Sequence, residues 1–359
     1  MELFWYIALI TMLTIYVILD GYDFGAGIIY LFFAKKEKDK KAIMNAIGPF
    51  WDANEVWLVA GGGVLFFTFP KLYAAAFSGF YLPLIMILWL IILRAIGIEL
   101  RAQIDNKLWH IIWDKTFGVA SLLLALFFGI ALGNIVRGVN LGGVVDGVSA
   151  YEPHYFFLPL WNPSFSPHAE TLGVIDWFTL LLGLIGVISL TIHGAGWIIF
   201  KTNSDLNARL KRLIFRLNIV LLVLSLFSLL VWGSIVPNPF GNFINHPLLF
   251  IFPLLTAVGI AGLFKIQGFK KDWNGFLFST LFLIGGLVST VVAIFPKFLP
   301  STNKINPSLT LHNTSAGHYG LSVGMSWFIF GIILVIGYLI FQYRVFSGKL
   351  DDIGYSEKH

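Results

Sequence analysis

Leu19-Asp20-Gly21-Tyr22-Asp23-Phe24-Gly25-Ala26-Gly27 and Trp51-Asp52-Ala53-Asn54-Glu55-Val56-Trp57 place four carboxylates inside two of the most apolar stretches of the chain. On insertion scales a charged carboxylate at bilayer depth costs roughly 2.5–3.5 kcal/mol, so such groups are rare without a partner or a water path. Bilayer depth is the right frame for the rest of the sequence as well. Of 359 residues, 57% are hydrophobic and 12% charged, against about 25% charged in an average soluble domain. The chain therefore reads as an all-α, multi-pass membrane protein. Met1-Glu2 opens almost directly into an apolar run without a basic lead or a small-residue cleavage site, which reads as a retained first helix rather than a signal peptide. Cysteine is absent, which excludes disulfides, thiolate metal sites and iron–sulfur clusters.

Segments long enough to cross ~30 Å of hydrocarbon fall near 4–33, 44–69, 74–100, 116–136, 173–200, 212–235, 247–265, 275–296 and 321–341, giving nine expected spans. Basic residues sort onto alternate connections. Lys35 to Lys41, Arg101 to Lys115, Lys201 to Arg212, Lys265 to Lys271 and the tail with Arg344, Lys349 and Lys358 hold eighteen. Lys71, Arg137, Lys297 and Lys304 are the four on the other side. The positive-inside rule then puts the N-terminus outside and the C-terminus in the cytoplasm, and the net charge of +5 is mostly topology rather than a sign of an acidic or nucleic-acid partner.

Gly25-Ala26-Gly27-Ile28-Ile29 matches Gly194-Ala195-Gly196-Trp197-Ile198 at an offset of 169 residues. A repeat of four spans plus one extra helix accounts for an odd total. The expected organisation is a first four-helix bundle at 1–137, an outer loop at 138–172, a second bundle at 173–296, a second outer loop at 297–320, and a ninth helix with a cytoplasmic tail at 321–359. Repeats of an even number of spans are parallel, unlike the inverted repeats of many transporters.

With that orientation, a rise of ~1.5 Å per residue brings Asp20, Asp23, Asp52, Glu55, Arg94 and Glu99 to the cytoplasmic half of three adjacent spans. Asp20 with Asp23, and Asp52 with Glu55, are i,i+3 pairs on one helix face. Paired carboxylates at depth suit a proton relay when water or a partner links them to bulk. The plainer alternative is a structural pair in which Arg94 neutralises an acid. Gly21, Gly25, Gly27 and Gly61 to Gly63 read as close helix packing. Of eight histidines only His193 lies well inside a span, and it reads as a packing residue; no metal-ligand set is expected.

Leu19 to Gly25, Gly48-Pro49-Phe50-Trp51-Asp52-Ala53-Asn54-Glu55-Val56-Trp57-Leu58, Tyr73-Ala74-Ala75-Ala76-Phe77-Ser78-Gly79-Phe80-Tyr81, Arg94 and Pro307-Ser308-Leu309-Thr310-Leu311 closely resemble subunit II of the cytochrome bd-type quinol oxidases. The likeness is densest over 19–101. The resemblance implies a heterodimer in the bacterial or archaeal cytoplasmic membrane. Its subunit I carries two b-type haems and one d-type haem, oxidises quinol and reduces O₂ to water. The resemblance further implies that this chain holds no haem ligand, stabilises subunit I and supplies a cytoplasmic proton path; some members add a structural quinone or line an O₂ route, and small accessory subunits attach to some. Asp20 and Asp52 match the motif acids and are the expected proton carriers. Asp23, Asn54, Glu55, Trp57, Arg94 and Glu99 are the expected supporting residues. No motif selects ubiquinone over menaquinone. The alternative function is a stand-alone proton-coupled transporter using the same acids; a purely structural partner subunit is the third reading.

Overall fold

The computed structural model describes residues 1–350; of the expected tail residues, Lys358 lies outside them. The elements are α1 (Glu2–Phe32), α2 (Glu37–Ile47), α3 (Trp51–Thr68), α4 (Pro70–Gly79), α5 (Tyr81–Arg101), α6 (Lys107–Arg137), α7 (Trp177–Lys201), α8 (Leu206–Ile235), α9 (Gly241–Asn245), α10 (Ile251–Leu263), α11 (Asn274–Ile294), α12 (Leu311–Thr314) and α13 (His318–Val345). Two short antiparallel strand pairs, Val144–Val145 with Val148–Ser149 and Lys297–Leu299 with Leu309–Thr310, lie in the long connections. Among the described residues, seven helices are long and apolar enough to cross a membrane, or eight if one bent pair is counted as a span. Pro247–Leu263 is a shorter apolar helix.

The structure redraws the expected second and third spans. The helix expected over 44–69 breaks at 48–50: α2 ends at Ile47 and α3 starts at Trp51. Pro49 has no N–H to continue a helix, and Phe50, with φ −121° and ψ −30°, caps the start of α3. The carbonyls freed by the break are taken from outside it, Ala46 O by the Trp197 indole N–H at 2.9 Å and Pro49 O by the Gln342 amide at 2.6 Å. A second discontinuity falls at Phe69, where α3 and α4 meet at 118°. Phe69 precedes Pro70 and leaves the helical region (φ −131°, ψ 60°), as a residue before proline tends to do, while Pro70 opens α4 at a position that needs no donor. The stretch expected as a loop over 101–115 is largely helix instead, because Asn106 caps α6 through the N–H groups of Leu108 and Trp109.

Helix packing groups α1, α3, α5 and α6 through α1·α3, α1·α6 and α5·α6 contacts, and α7, α8, α10 and α11 through α7·α8, α7·α11 and α10·α11 contacts. The groups meet where α1 and α6 lie on α7. Gly25 and Gly194, the residues equated by the 169-residue offset, sit against each other there. A Cβ on Gly25 would stand 1.9 Å from Leu190 O and 2.8 Å from Gly194 N. Both contacts are backbone, so neither can rotate away.

The long loops at the end opposite the lysine-rich 35–41 connection pack on each other. Asn303 donates to Asn140 Oδ1 and Leu141 O, each at 2.8 Å, and Asn306 donates to Leu141 O at 3.0 Å and Ser149 Oγ at 2.6 Å. Beneath them Arg137 pairs with Asp176 in a buried site and donates to Asn134 Oδ1 at 2.7 Å and Gly173 O at 3.0 Å. Asp176 also caps α7 through the N–H groups of Phe178 and Thr179. At the basic end, Asp114 collects Tyr30, Lys40 and Arg101, with Lys40 at 2.6 Å and Arg101 at 2.5 Å, which ties α2 to α1, α5 and α6. The chain after α13 folds back there. Lys349 Nζ donates to Ile199 O at 2.9 Å, Thr202 O at 3.0 Å and Asp272 at 2.7 Å, and Leu350 N donates to Lys201 O at 2.8 Å.

Gly25→Ala should cost at least the ~1–3 kcal/mol of an overpacked core and lower the thermal midpoint, whereas Gly62→Ala, with nothing within 4 Å of its added Cβ, should leave it unchanged. For Asp272, burial pushes the carboxyl up, but the hydrogen bond and charge of Lys349, with Lys211, outweigh this and hold its pKa below 3.8. A depressed carboxyl stabilises the fold above its unfolded pKa and loses that contribution as pH falls through the folded one. A spin label at Ser347 should therefore stay immobile at neutral pH and gain motion only below the 3.8 of a free carboxyl; Asp272→Asn should make it mobile at every pH.

Candidate functional site

The acids of α1 face inward because their helix is buried along this length: every residue from Asp20 to Tyr30 is buried. Asp20 and Asp23 are both 0% exposed. Two bare carboxylates could not stay there, and two neighbouring helices supply their partners. From α5 comes Arg94, also 0% exposed, whose Nη1 donates to Asp20 Oδ1 at 2.7 Å and whose Nη2 donates to Glu55 Oε1. Its guanidinium lies 4.7 Å from the centre of the Phe24 ring, a favourable face for a cation. From α3 comes Asn54, whose amide nitrogen faces Asp23 Oδ2 at 2.9 Å, the Tyr22 hydroxyl at 2.7 Å and Leu19 O at 3.1 Å. A backbone carbonyl only accepts, so Leu19 fixes which end of the Asn54 amide points inward.

The cluster then grades outward. The Glu55 side chain is 23% exposed, and Asp52, one turn earlier on α3, is exposed. The break at 48–50 starts the helix at Trp51, so Asp52 stands in the first turn of α3 rather than inside a continuous span over 44–69 as expected. Asp52 and Glu99 make no hydrogen bond or ion pair among the described residues. Glu99 is half-buried on α5, past Arg94. Trp57 is buried beneath the cluster, and its indole nitrogen finds no partner. Of the expected site residues, the fold thus gathers Asp20, Asp23, Asn54, Glu55 and Arg94, and leaves Asp52 and Glu99 at the edge.

The cluster also has members that the sequence did not single out. The Tyr22 hydroxyl accepts from Asn54 and lies 3.1 Å from the Tyr343 hydroxyl of α13, and the Tyr22 ring stacks on Trp197 at 4.2 Å. Tyr16 is buried one turn before Asp20. No spacing pattern marks these tyrosines, since Tyr343 is 321 residues from its partner. Several buried polar atoms at this site find no protein partner: Tyr16 Oη, Asp20 Oδ2, Asp23 Oδ1, Asn54 Oδ1 and Arg94 Nε. Such atoms are the normal hosts of ordered water.

His193 has the surroundings of the packing residue expected there. Its Nδ1 is 2.8 Å from Ser279 Oγ, its Nε2 is 2.8 Å from Ile18 O, and its ring stacks on Phe276. Both ring nitrogens are engaged, which does not fit an axial ligand to a haem iron. Among the described residues no group of three or more His, Asp or Glu side chains is placed to hold a metal ion.

A profile of the cytochrome bd terminal oxidase subunit II family matches residues 1–346. The chain belongs to that family. It is similar to the probable cytochrome oxidase subunit 2 of Haemophilus influenzae, at 29% identity over 97% of this chain and 94% of that protein. The cytochrome bd-I ubiquinol oxidase subunit 2 of Escherichia coli is 29% identical over 92% of this chain and 90% of its own length. The cytochrome bd ubiquinol oxidase subunit 2 of Bacillus subtilis is 27% identical over 96% of both. A chain of the bd oxidase from Geobacillus thermodenitrificans shares the fold, with a TM-score of 0.71 at 15% identity over 96% of this chain and 98% of that one. The chain is accordingly a subunit of a bd-type terminal oxidase, with several apolar helices that make it a multi-pass membrane protein.

Removing Arg94 strands two acids at once. Arg94→Gln should destabilise the protein by about 3–5 kcal/mol, the cost of breaking a buried pair from one side. Thermal unfolding in detergent checks it: an unchanged midpoint would show that the carboxylates do not depend on this guanidinium.

Proposed function

We propose that this chain is the non-haem subunit II of an oxidase that couples quinol oxidation to reduction of O₂ to water, that it stabilises a haem-bearing subunit I, and that it supplies protons from the cytoplasmic side. The observation that carries the proton path is the graded series of carboxyls, from exposed Asp52 through partly exposed Glu55 to the fully buried Asp20 and Asp23. Asp52 takes up a proton at the mouth and Glu55 receives it one turn deeper. Arg94 keeps its proton and cannot relay one; its role is to hold Glu55 and Asp20 side by side. Passage onward uses the free carboxyl oxygens of Asp20 and Asp23 with water between them. Trp57 and Asn54 shape the inner wall, and Glu99 adds negative charge beside the path.

The same reading places the N-terminus outside, the C-terminus in the cytoplasm and the protein in the cytoplasmic membrane, in keeping with the basic residues gathered at one end. It counts nine crossings by adding the bent α3–α4 pair and Pro247–Leu263 to the seven long helices. It divides them into bundles at 1–137 and 173–296 with the ninth helix after the 297–320 loop. The contact of Gly25 with Gly194 supports that repeat. The two b-type haems, the d-type haem and quinol oxidation belong to subunit I in this account; a structural quinone and small accessory subunits are further associations of the complex.

The stand-alone transporter alternative uses the same acids as the proton path. Co-purification with a haem-bearing partner, read by absorption of the gently solubilised complex, separates the two functions.

Asp20→Asn or Asp52→Asn should slow turnover by roughly 100-fold, the lower end for loss of a proton-transferring group, with haem content of the complex preserved. Normal activity in both variants, with normal haem, would remove the proton-path role while leaving subunit II membership intact.

A further inference from the structure

At the lysine-rich end of the molecule most basic side chains beside α8 are already taken by acids. Arg209 pairs with Asp39 at 2.7 Å, Lys211 with Asp272 at 3.5 Å and Lys349 with Asp272 at 2.7 Å. Arg212 and Arg216 are different. Both are exposed, they stand one turn apart on the same face of α8, and neither has an ion pair or hydrogen bond among the described residues. The face they share continues along α8 as Ile219, Val220, Val223, Leu226 and Leu230, which are 45%, 43%, 58%, 53% and 82% exposed. Those residues recur at the i,i+3 and i,i+4 spacing that keeps one helix face. From Arg216 to Leu226 is ten residues, about 15 Å of helical rise and so about half of a ~30 Å hydrocarbon core.

A helix face that begins in two unpaired guanidiniums and runs on as one leaflet's depth of bare apolar side chains has the dimensions and polarity of a single phospholipid. The level fits too: Phe215, beside Arg216, packs on Phe264 at the end of α10, 5.9 Å ring to ring, just before Lys265. The charged pair is therefore at the end of the apolar zone rather than within it. Guanidinium groups bind phosphate oxygens through paired N–H donors, a geometry that an ammonium does not reproduce.

We propose that Arg212 and Arg216 form a binding site for the phosphate of an anionic phospholipid, whose acyl chain lies along Ile219, Val223 and Leu226. The inference is independent of the proton path and of which subunit partners this chain.

Native mass spectrometry of the detergent-solubilised protein, in the complex in which it is purified, tests the site with dioleoylphosphatidylglycerol, dioleoylphosphatidylcholine and inorganic phosphate as probes. The wild type should retain phosphatidylglycerol at least about threefold over phosphatidylcholine. Arg212→Gln with Arg216→Gln should abolish the preference, and Arg212→Lys with Arg216→Lys should keep only part of it, because the charge stays but the paired donors go. Lys38→Gln, at an exposed lysine of the same end, should change nothing. Equal retention of the two lipids by the wild type overturns the proposal. So does a double Gln variant that still prefers phosphatidylglycerol, or a Lys38→Gln effect as large as that of the double variant. Displacement of the lipid by millimolar inorganic phosphate overturns the lipid assignment in favour of a small-anion site.

Discussion

Charge can stay in the interior of this protein because one guanidinium stands between two carboxyls. Arg94 meets Asp20 on one side and Glu55 on the other with no exposure of its own, and three helices must hold their register for it to do so. α1 brings Asp20, α3 brings Glu55 and α5 brings Arg94. In low dielectric an unpaired member of that set would cost several kcal/mol, so the electrostatics fix the relative positions of these helices more tightly than apolar packing, which tolerates sliding. Asp23 is held by a different device. Its partner is the Asn54 amide, which offers N–H donors but has no proton of its own to give up. The hydroxyls of Tyr22 and Tyr343 beyond Asn54 are thereby joined to Asp23 by hydrogen bonds without being joined to it by a path for protons.

Two interruptions of the helical backbone shape the surroundings of α3. Gly48-Pro49 stops α2 before α3 begins, and this puts Asp52 in the first turn of α3 rather than inside a continuous helix over 44–69. Without the break, Asp52 would need a buried partner, and none is supplied. At the other end of α3 the turn before Pro70 lays α4 across the helix axis, so that Gly79 packs against Phe156 of the long loop and the loop gains a floor.

Much of this was legible in the chain. Acids in apolar runs have few physical explanations, and the i,i+3 spacing of Asp20 with Asp23 correctly put both on one buried face. The motif around Trp51 to Trp57 was specific enough to name the family that the profile match establishes. What the sequence did not show is what depends on distant pairing. Nothing near Tyr22 announces Tyr343, and nothing in Arg137, counted simply as an outer cation, announces its burial against Asp176. Backbone breaks were missed for a related reason: hydropathy sees Gly48-Pro49 and Phe69-Pro70 as short interruptions of an apolar run, whereas the missing N–H of Pro49 and the non-helical Phe69 before Pro70 decide the geometry.

The crossing at Gly25 and Gly194 carries one more consequence. In a symmetric pair of identical bundles, a residue on the axis faces its own copy, and any charge introduced near it would appear twice. Here the two sides belong to one chain. The positions 169 residues beyond Asp20 and Asp23 are Ser189 and Ile192, so of the two helices that meet at this crossing only α1 carries buried acids. The crossing is thus polarised, with an acidic helix on one side and on the other a helix that carries no carboxylate.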